Sequence, residues 1–372
     1  MKAMYNLKVV PQIFFGPGSV AAVGRVVAAD ARVLIVSGNS AERSGTVERV
    51  KKLLAPRAVE VFAGVEAEPS IQQVDQIREF ARSFGCSAVV AIGGGSAMDV
   101  GKAVAAAGSS TVPTAEFFYN RSELPAAGCF MAAVPTTAGT GAEVTPNGVF
   151  TDKTSNIKQS IRGGSILPQA ALVDPELTLS CSAQVTINSG MDALTQGIES
   201  YISRNSSNAS RALAMQGVKL IVGALEKVVD DPGNINLRSD MSEGTMLGAI
   251  AFASSGLGAV HGLAHPLGAR LHLPHGRVCG LLLAEVLKWN MSVCAGALDE
   301  LAAFAGWQNG KELIRQVEAL QKHFGLESRL SACGLQESDL EWVVKNSRSG
   351  SMRANPRDFS DAELTALLQE ML

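Results

Sequence analysis

Histidine is scarce in this chain, with five among 372 residues, and aromatic residues of all kinds make up only 5%. Charge is sparse too: Asp, Glu, Lys and Arg together account for 18%, and the net charge is −3. With Lys and Arg scattered and no basic face, an electrostatic partnership with nucleic acid or an anionic membrane is excluded as the main role. The six cysteines (Cys86, Cys129, Cys181, Cys279, Cys294 and Cys333) form no Cys-x-x-Cys pair. That dispersion argues against a disulfide framework and for free thiols in a reducing compartment. The first residues, Met-Lys-Ala-Met-Tyr-Asn-Leu-Lys, lack the apolar stretch of a secretion signal, and no uninterrupted apolar run has the length of a membrane span. Repeats and low-complexity stretches are missing as well. The expectation is a cytoplasmic protein with no membrane and no nucleic-acid partner.

What the chain does have is a large apolar fraction, 47%, over a length that exceeds one ordinary core. Two domains are therefore expected. In the first half, short continuous apolar runs alternate with helical stretches. Arg-Val-Leu-Ile-Val-Ser-Gly, Ser-Ala-Val-Val-Ala-Ile-Gly and Cys-Phe-Met-Ala-Ala-Val-Pro read as strands covered on both faces, as in a parallel α/β sheet. Residues 71 to 84, opened by Pro69-Ser70, read as a helix between them. Beyond about residue 180 strand signal fades. Long helical patterns run over 209–229, 239–271 and 278–304, and Ser360-Asp361-Ala362-Glu363 is a capping box for a last helix. The fold class expected is an α/β domain over residues 1–180 followed by an all-helical domain over 181–372, with the boundary near Leu179.

Four of the five histidines fall in one short segment, at His261, His265, His272 and His275. Imidazole is a favoured ligand of first-row transition metals, and His261 and His265 are spaced i,i+4, on one side of a helix. Upstream, Ser-Gly-Met-Asp-Ala-Leu-Thr-Gln places Asp192 and Gln196 i,i+4 on an apolar helix, where a carboxylate needs a partner. Asp192, His261 and His275 could supply three ligands to a divalent ion with one position open. On the residues alone, packed histidines and an Asp192 that merely caps or salt-bridges are equally admissible. Ile92-Gly93-Gly94-Gly95-Ser96 is a strand running into a glycine turn and a helix, a shape that admits a diphosphate at the helix N-terminus. It departs from Gly-x-Gly-x-x-Gly, and an ordinary tight turn is the other reading. The hydroxyl-rich Pro135-Thr136-Thr137-Ala138-Gly139-Thr140 suits a phosphate, ribose or amide, or simply a turn.

Taken together, these segments resemble the iron-containing (group III) alcohol dehydrogenase family of the dehydroquinate synthase-like superfamily. The resemblance runs from Phe-Gly-Pro-Gly-Ser at residues 15–19 through Gly-Gly-Gly-Ser, Pro-Thr-Thr-Ala-Gly-Thr-Gly, Val-Asp-Pro-Glu-Leu, Gly-Met-Asp-Ala-Leu-Thr and His-Gly-Leu-Ala-His-Pro-Leu-Gly-Ala to Pro-His-Gly and Asn355-Pro356-Arg357. It implies a dehydroquinate synthase-like fold with a dinucleotide-binding α/β domain, a helical metal domain and a cleft between them. Asp192, Gln196, His261 and His275 fall on the family's metal-ligand places, and His265 on a histidine near the nicotinamide, the expected proton relay. Gly94, Gly95, Ser96 and Asp99 fall on the diphosphate loop, and Thr136, Thr137 and Thr140 on the threonine-rich cofactor segment. Gly38, Asn39 and Ser40 lie where the adenosine ribose is met; Pro69, Lys158 and Leu177 match further cofactor contacts. The implied chemistry is hydride transfer between nicotinamide C4 and a metal-held alcohol or carbonyl. The implied partners are a small alcohol or aldehyde and a second copy of the chain, as a homodimer or larger assembly.

Three positions depart from the family pattern. Gln196 stands where a second histidine is usual, and a neutral amide oxygen binds Fe²⁺ or Zn²⁺ more weakly than imidazole. It is expected to ligate weakly, to hold a metal-bound water, or to mark a lost metal, with iron and zinc both open and a retained, weaker site favoured. Gly38 stands where NAD-preferring members carry an aspartate after the first strand, so repulsion of a 2′-phosphate is missing and NADP(H) acceptance is expected. Ala142 replaces a more usual serine and carries no reading. The competing functions are a metal-independent reductase of the maleylacetate type, a dehydroquinate synthase-like lyase and a catalytically silent member. The lyase would need a pocket dense in Lys and Arg, which the helices around Asp192 and His261 do not supply.

Overall fold

The computed structural model describes residues 4–155, 157–326 and 329–372. It divides into two compact units, one over Lys8–Cys181 and one over Ser182–Leu372. Residues 4–7, which the sequence reading assigned to the α/β part, group with the helical unit. Ser254 Oγ donates to the Asn6 carbonyl there, at 3.0 Å.

In the first unit the strands are β1 (Gln12–Phe15), β2 (Arg32–Ser37), β3 (Ala58–Phe62), β4 (Ala88–Gly93), β5 (Phe130–Pro135), β6 (Asn147–Asp152), β7 (Ile157–Arg162) and β8 (Ala170–Val173). Six of them form a parallel sheet in the order β1-β8-β5-β4-β2-β3. The continuous apolar runs are explained by burial on both faces. Leu34, Val36, Val89, Ala91, Met131 and Ala133 enter the core on one side. Their neighbours Val33, Ile35, Val90, Ile92, Ala132 and Val134 enter the core on the other. The expected helix is Ile71–Phe84 (α1), with Ser70 accepting from the Gln73 N–H at its start. A second helix, α2, spans Gly95–Ala107 directly after β4. The antiparallel ribbon of β6 and β7 was not expected from the sequence. Its strands are half-exposed and polar, so they lack the apolar runs that mark the sheet.

The chain leaves β2 to make β3 on one side and returns through α1 to place β4 on the other. The carboxyl ends of β2 and β4 are therefore a switch point of the sheet, the place where an open α/β sheet has a crevice for a ligand.

The second unit has helices and no strand among its described residues. Its main helices are α3 (Ala183–Ile202), α4 (Asn208–Asp230), α5 (Ile235–Ser255), α6 (Ala259–Leu271) and α7 (His275–Ala305). The single pattern expected over 239–271 is two helices, bent by 102° at the break. Gly256 takes a left-handed φ of +71° there, a conformation that stops a helix of L-residues. Helix α7 is apolar enough over an 18-residue window to pass as a membrane span, yet 61% of that window is buried within the protein. It is a core helix. The capping box at Ser360 and Glu363 is present.

Candidate active site

The helical unit brings together residues that lie far apart in sequence. Asp192 stands in the middle of α3, whose start is capped by Ser182 accepting from the Val185 N–H. His261 lies in the first turn of α6, and His275 opens α7. The approach of these helices depends on missing side chains. A Cβ on Gly276 would lie 2.2 Å from the Asn188 carbonyl oxygen and 3.2 Å from the Asp192 Cβ. A Cβ on Gly258 would meet the Glu199 carboxylate at 2.6 Å. Asn355, from the Asn-Pro-Arg motif, accepts from the Ala259 N–H at 3.1 Å and from Asn290 Nδ2 at 3.0 Å, which fixes the start of α6.

Ligating atoms of Asp192, His261, His275 and Cys279 all lie within 4.8 Å of one another. His261 Nε2 is 3.3 Å from Asp192 Oδ1, and His275 Nε2 is 3.9 Å from the same oxygen. Cys279 Sγ lies 3.6 Å from His275 Nε2 and 3.9 Å from His261 Nε2. Asp192, His261 and Cys279 are buried and His275 is half-buried. Glu199 turns the cluster into an oriented one. Its carboxylate accepts from His261 Nδ1 at 2.6 Å and from the Val260 N–H at 2.7 Å. With Nδ1–H committed to Glu199, Nε2 is the nitrogen of His261 that faces the cluster and would offer its lone pair once its proton is displaced by a cation, the arrangement of a carboxylate–histidine–metal triad.

Burial and charge oppose each other here. Desolvation favours a neutral Asp192, but the hydrogen bond from His261 and the charges of His275 and His261 outweigh it and hold its pKa below the ordinary carboxylate range. Desolvation likewise disfavours a charged His261, and the Glu199 carboxylate and the hydrogen bond to Asp192 reverse it, so the imidazole sits well above its usual pKa. Burial pushes the Cys279 thiol up to about 12. A set of one carboxylate, two imidazoles and one thiol, buried and mutually within ligand distance, fits a divalent cation.

Gln196 is buried, one helical turn beyond Asp192, and its Oε1 has no hydrogen-bond partner among the described residues. His265 is half-buried and stacks on His275 with ring centroids 5.0 Å apart and 22° between the planes. His272 is an exposed residue in left-handed conformation that ends α6. Cys279 and Glu199 were not expected from the sequence as site residues. Cys279 follows His275 at i,i+4, the spacing that singled out the other pairs, and that signal was available.

In the α/β unit the expected cofactor residues gather at the carboxyl ends of β2, β4 and β5. Gly93 has φ +150°, and a Cβ there would meet Ala97 Cβ at 2.8 Å and the Gly38 nitrogen at 3.6 Å. A Cβ on Gly95 would lie 2.9 Å from Thr140 Oγ1, and one on Gly94 would lie 3.4 Å from Thr137 Oγ1. The Thr136 N–H donates to the Gly93 carbonyl at 2.9 Å. The glycine turn and the threonine segment are thus one surface, and Gly94 serves as the N-cap of α2 without a side chain of its own. The free N–H groups and dipole at that helix start suit an anion, and the bare backbone lets it come close. Asn39 and Ser40 are exposed just beyond Gly38.

Other predicted positions are committed within the protein. Asp99 accepts from the Val149 N–H at 2.8 Å and pairs with Lys102 at 3.0 Å, bracing α2 against β6. Burial raises its pKa against the pull of Lys102. Ser96 Oγ donates to the Ala67 carbonyl. Lys158 pairs with Glu68 at 2.7 Å. The Pro69 carbonyl accepts from the Thr151 N–H, and Leu177 is packed into the core.

Two family models cover this architecture. Residues 11–175 match the model of iron-containing alcohol dehydrogenase, and residues 186–372 match the C-terminal model of the same family. The chain belongs to the iron-containing alcohol dehydrogenase family. It is 30% identical to a 1-propanol dehydrogenase of Salmonella typhimurium over 97% of this chain and 98% of that protein. It is 29% identical to an NAD-dependent methanol dehydrogenase of Bacillus methanolicus over 99% of this chain and all of that one. Among solved structures, the sulfoacetaldehyde reductase of Bifidobacterium kashiwanohense in complex with NAD+ superposes with a TM-score of 0.95 at 29% identity, covering 100% of this chain and 99% of that one. This member is an oxidoreductase of the alcohol dehydrogenase type.

Proposed function

We propose that this chain is a metal-dependent NAD(P)(H) alcohol dehydrogenase and aldehyde reductase acting on small alcohols and aldehydes. The observation that carries the reading is the convergence of Asp192, His261 and His275 from three helices. When bound, a divalent ion supplies Lewis-acid polarisation of the substrate oxygen, and the nicotinamide supplies or accepts the hydride. The protein's own contribution is to hold these groups. Asp192, His261 and His275 hold the ion, and Glu199 keeps His261 in the tautomer that offers Nε2. The N-terminus of α2 with Gly94 and Gly95 takes the diphosphate, and Thr136, Thr137 and Thr140 line the same turn. His265, stacked on His275, is assigned the proton between substrate and solvent.

NAD is named for the methanol dehydrogenase and for the reductase complex. In this chain no carboxylate follows β2 to repel a 2′-phosphate, and Asn39 and Ser40 are exposed there to donate to one. Acceptance of both NADH and NADPH follows. The substrates named for the relatives are methanol, 1-propanol and sulfoacetaldehyde, all small.

The test is oxidation of NADH and NADPH against a panel of short aldehydes, on chelated enzyme with Zn²⁺, Fe²⁺ or nothing restored. Turnover that vanishes on chelation and returns with metal is the expected result. Turnover untouched by complete metal removal would overturn the metal-dependent reading.

A further inference from the structure

We propose that Cys279, and not Gln196, is the fourth protein ligand of the metal site, which makes it an Asp-His-His-Cys centre selective for zinc over iron(II). The inference rests on the reading of Asp192, His261 and His275 as a metal site, and it adds a residue that the sequence reading did not contain.

Geometry carries it. Zinc–nitrogen and zinc–oxygen bonds of about 2.0–2.2 Å and zinc–sulfur bonds of about 2.3 Å place tetrahedral ligand atoms roughly 3.3–3.6 Å apart. Four of the six separations in the cluster are 3.3 Å for His261 to Asp192, 3.6 Å for Cys279 to His275, and 3.9 Å for both His275 to Asp192 and Cys279 to His261, and all six stay within 4.8 Å. Cys279 therefore lies close to a vertex and need not swing in from elsewhere, and the substrate oxygen would join such a centre as a fifth ligand. Its place follows from the helix: His275 and Cys279 are i,i+4 on α7, so both lie on one side of it, and Gly276 between them leaves room for α3, since a Cβ there would lie 2.2 Å from the Asn188 carbonyl oxygen and 3.2 Å from the Asp192 Cβ.

Chemistry points the same way. Gln196 offers a neutral amide oxygen, the weakest donor of the five. Cys279 offers a thiolate, whose proton passes to solvent as the ion binds, and with Asp192 it brings two negative charges to a dication. A soft sulfur ligand beside two imidazoles shifts preference toward zinc, whereas oxygen-rich sets favour harder ions. Gln196 Oε1, buried without a protein partner, is left as an acceptor for a donor group of substrate or water.

The experiment is reconstitution of the metal-stripped, full-length protein with Co²⁺, read by absorption, together with zinc and iron(II) affinities by chelator competition. Wild type, Cys279→Ser, Gln196→Ala and His261→Ala are compared. The expected result is a thiolate-to-cobalt charge-transfer band in wild type and Gln196→Ala that Cys279→Ser lacks. Cys279→Ser should weaken zinc by more than the roughly 10–100-fold lost with an outer-shell partner. Gln196→Ala should leave zinc within about threefold, below the 10–100-fold scale of such losses. The wild-type spectrum decides the assignment even if Cys279→Ser fails to fold. Stoichiometric cobalt without the band, released by His261→Ala, would overturn the Cys279 assignment and leave the three-residue site standing. Wild-type protein that takes up neither cobalt, zinc nor iron would overturn the metal reading itself.

Discussion

The two units of this protein build their sites by opposite means. In the α/β unit the expected binding surface is made of backbone. Gly93 and Gly95 are required because a Cβ would strike Ala97 or Thr140, and what the turn offers is N–H groups at the start of a helix. In the helical unit the site is made of side chains, with Asp192, His261, His275 and Cys279 delivered by α3, α6 and α7 to within 4.8 Å of one another. Glycine serves there too, but as a spacer: Gly258 and Gly276 let helices close on Glu199 and Asp192. A backbone site tolerates changes of neighbouring side chains and fails when bulk is added. A side-chain site fails when one group is removed.

The largest effect is expected from removing a ligand. Asp192→Ala leaves two imidazoles without their carboxylate. On the proposed function that carboxylate would help to hold a Lewis acid that stabilises developing charge by several kcal/mol, so turnover with aldehydes should fall by roughly 100-fold or more. Steady-state assays with metal content measured in parallel check this. Turnover above a tenth of wild type would break the contrast between the units.

The buried carboxyls sharpen it next. Glu143, in the threonine segment, is pushed by burial up to about 7 despite the charge of Lys102. Its folded pKa lies above its unfolded value, so the folded state gains protons relative to the unfolded one. Stability from this group is full below about 4.5 and falls by about 3 kcal/mol as pH rises to about 7. Asp192 has the opposite sign: its lowered pKa makes its contribution present above the ordinary carboxylate range and lost on acidification below it. Denaturant titrations at pH 4.5 and 7.5 should show Glu143→Gln flattening the decline. An unchanged slope would contradict the assignment.

Glu199→Gln keeps the shape and removes the charge behind His261. Zinc affinity should drop about 10–100-fold, read by chelator competition, while cofactor binding is preserved. Smallest is the choice of cofactor. Gly38→Asp restores a carboxylate after β2, and at this half-buried position beside the exposed Asn39 and Ser40 its repulsion of a 2′-phosphate is worth about 1 kcal/mol with water as the screening medium. The ratio of kcat/KM for NADH over NADPH should rise roughly fivefold for that energy.

The same contrast explains what was legible in the sequence. Strands β2, β4 and β5 announced themselves because burial on two faces leaves continuous apolar runs. The glycine turn was visible because a backbone site is local: its residues are consecutive. The antiparallel ribbon and the short strand β3, half-exposed, carry no such run. In the helical unit, His261 and His275 stood out through the rarity of histidine, and Asp192 through its apolar setting. Glu199 did not, because its role exists only once α6 turns at Gly256 and brings His261 Nδ1 to 2.6 Å from it. Reading residues 239–271 as one helix hid that turn. Cys279 was set aside with the other thiols because no Cys-x-x-Cys pair flagged it, although its partner lay one helical turn back at His275.

The most direct test of this division measures zinc content and the NADH dissociation constant side by side on His261→Ala and Gly95→Ala, with folding checked by circular dichroism. Gly95→Ala places a methyl 2.9 Å from Thr140, so it should weaken NADH while zinc stays stoichiometric. His261→Ala should lose zinc while its NADH affinity stays within about twofold, the roughly 0.5 kcal/mol within which independent sites add. A folded variant that loses both together, or loses neither, would contradict two separately built sites.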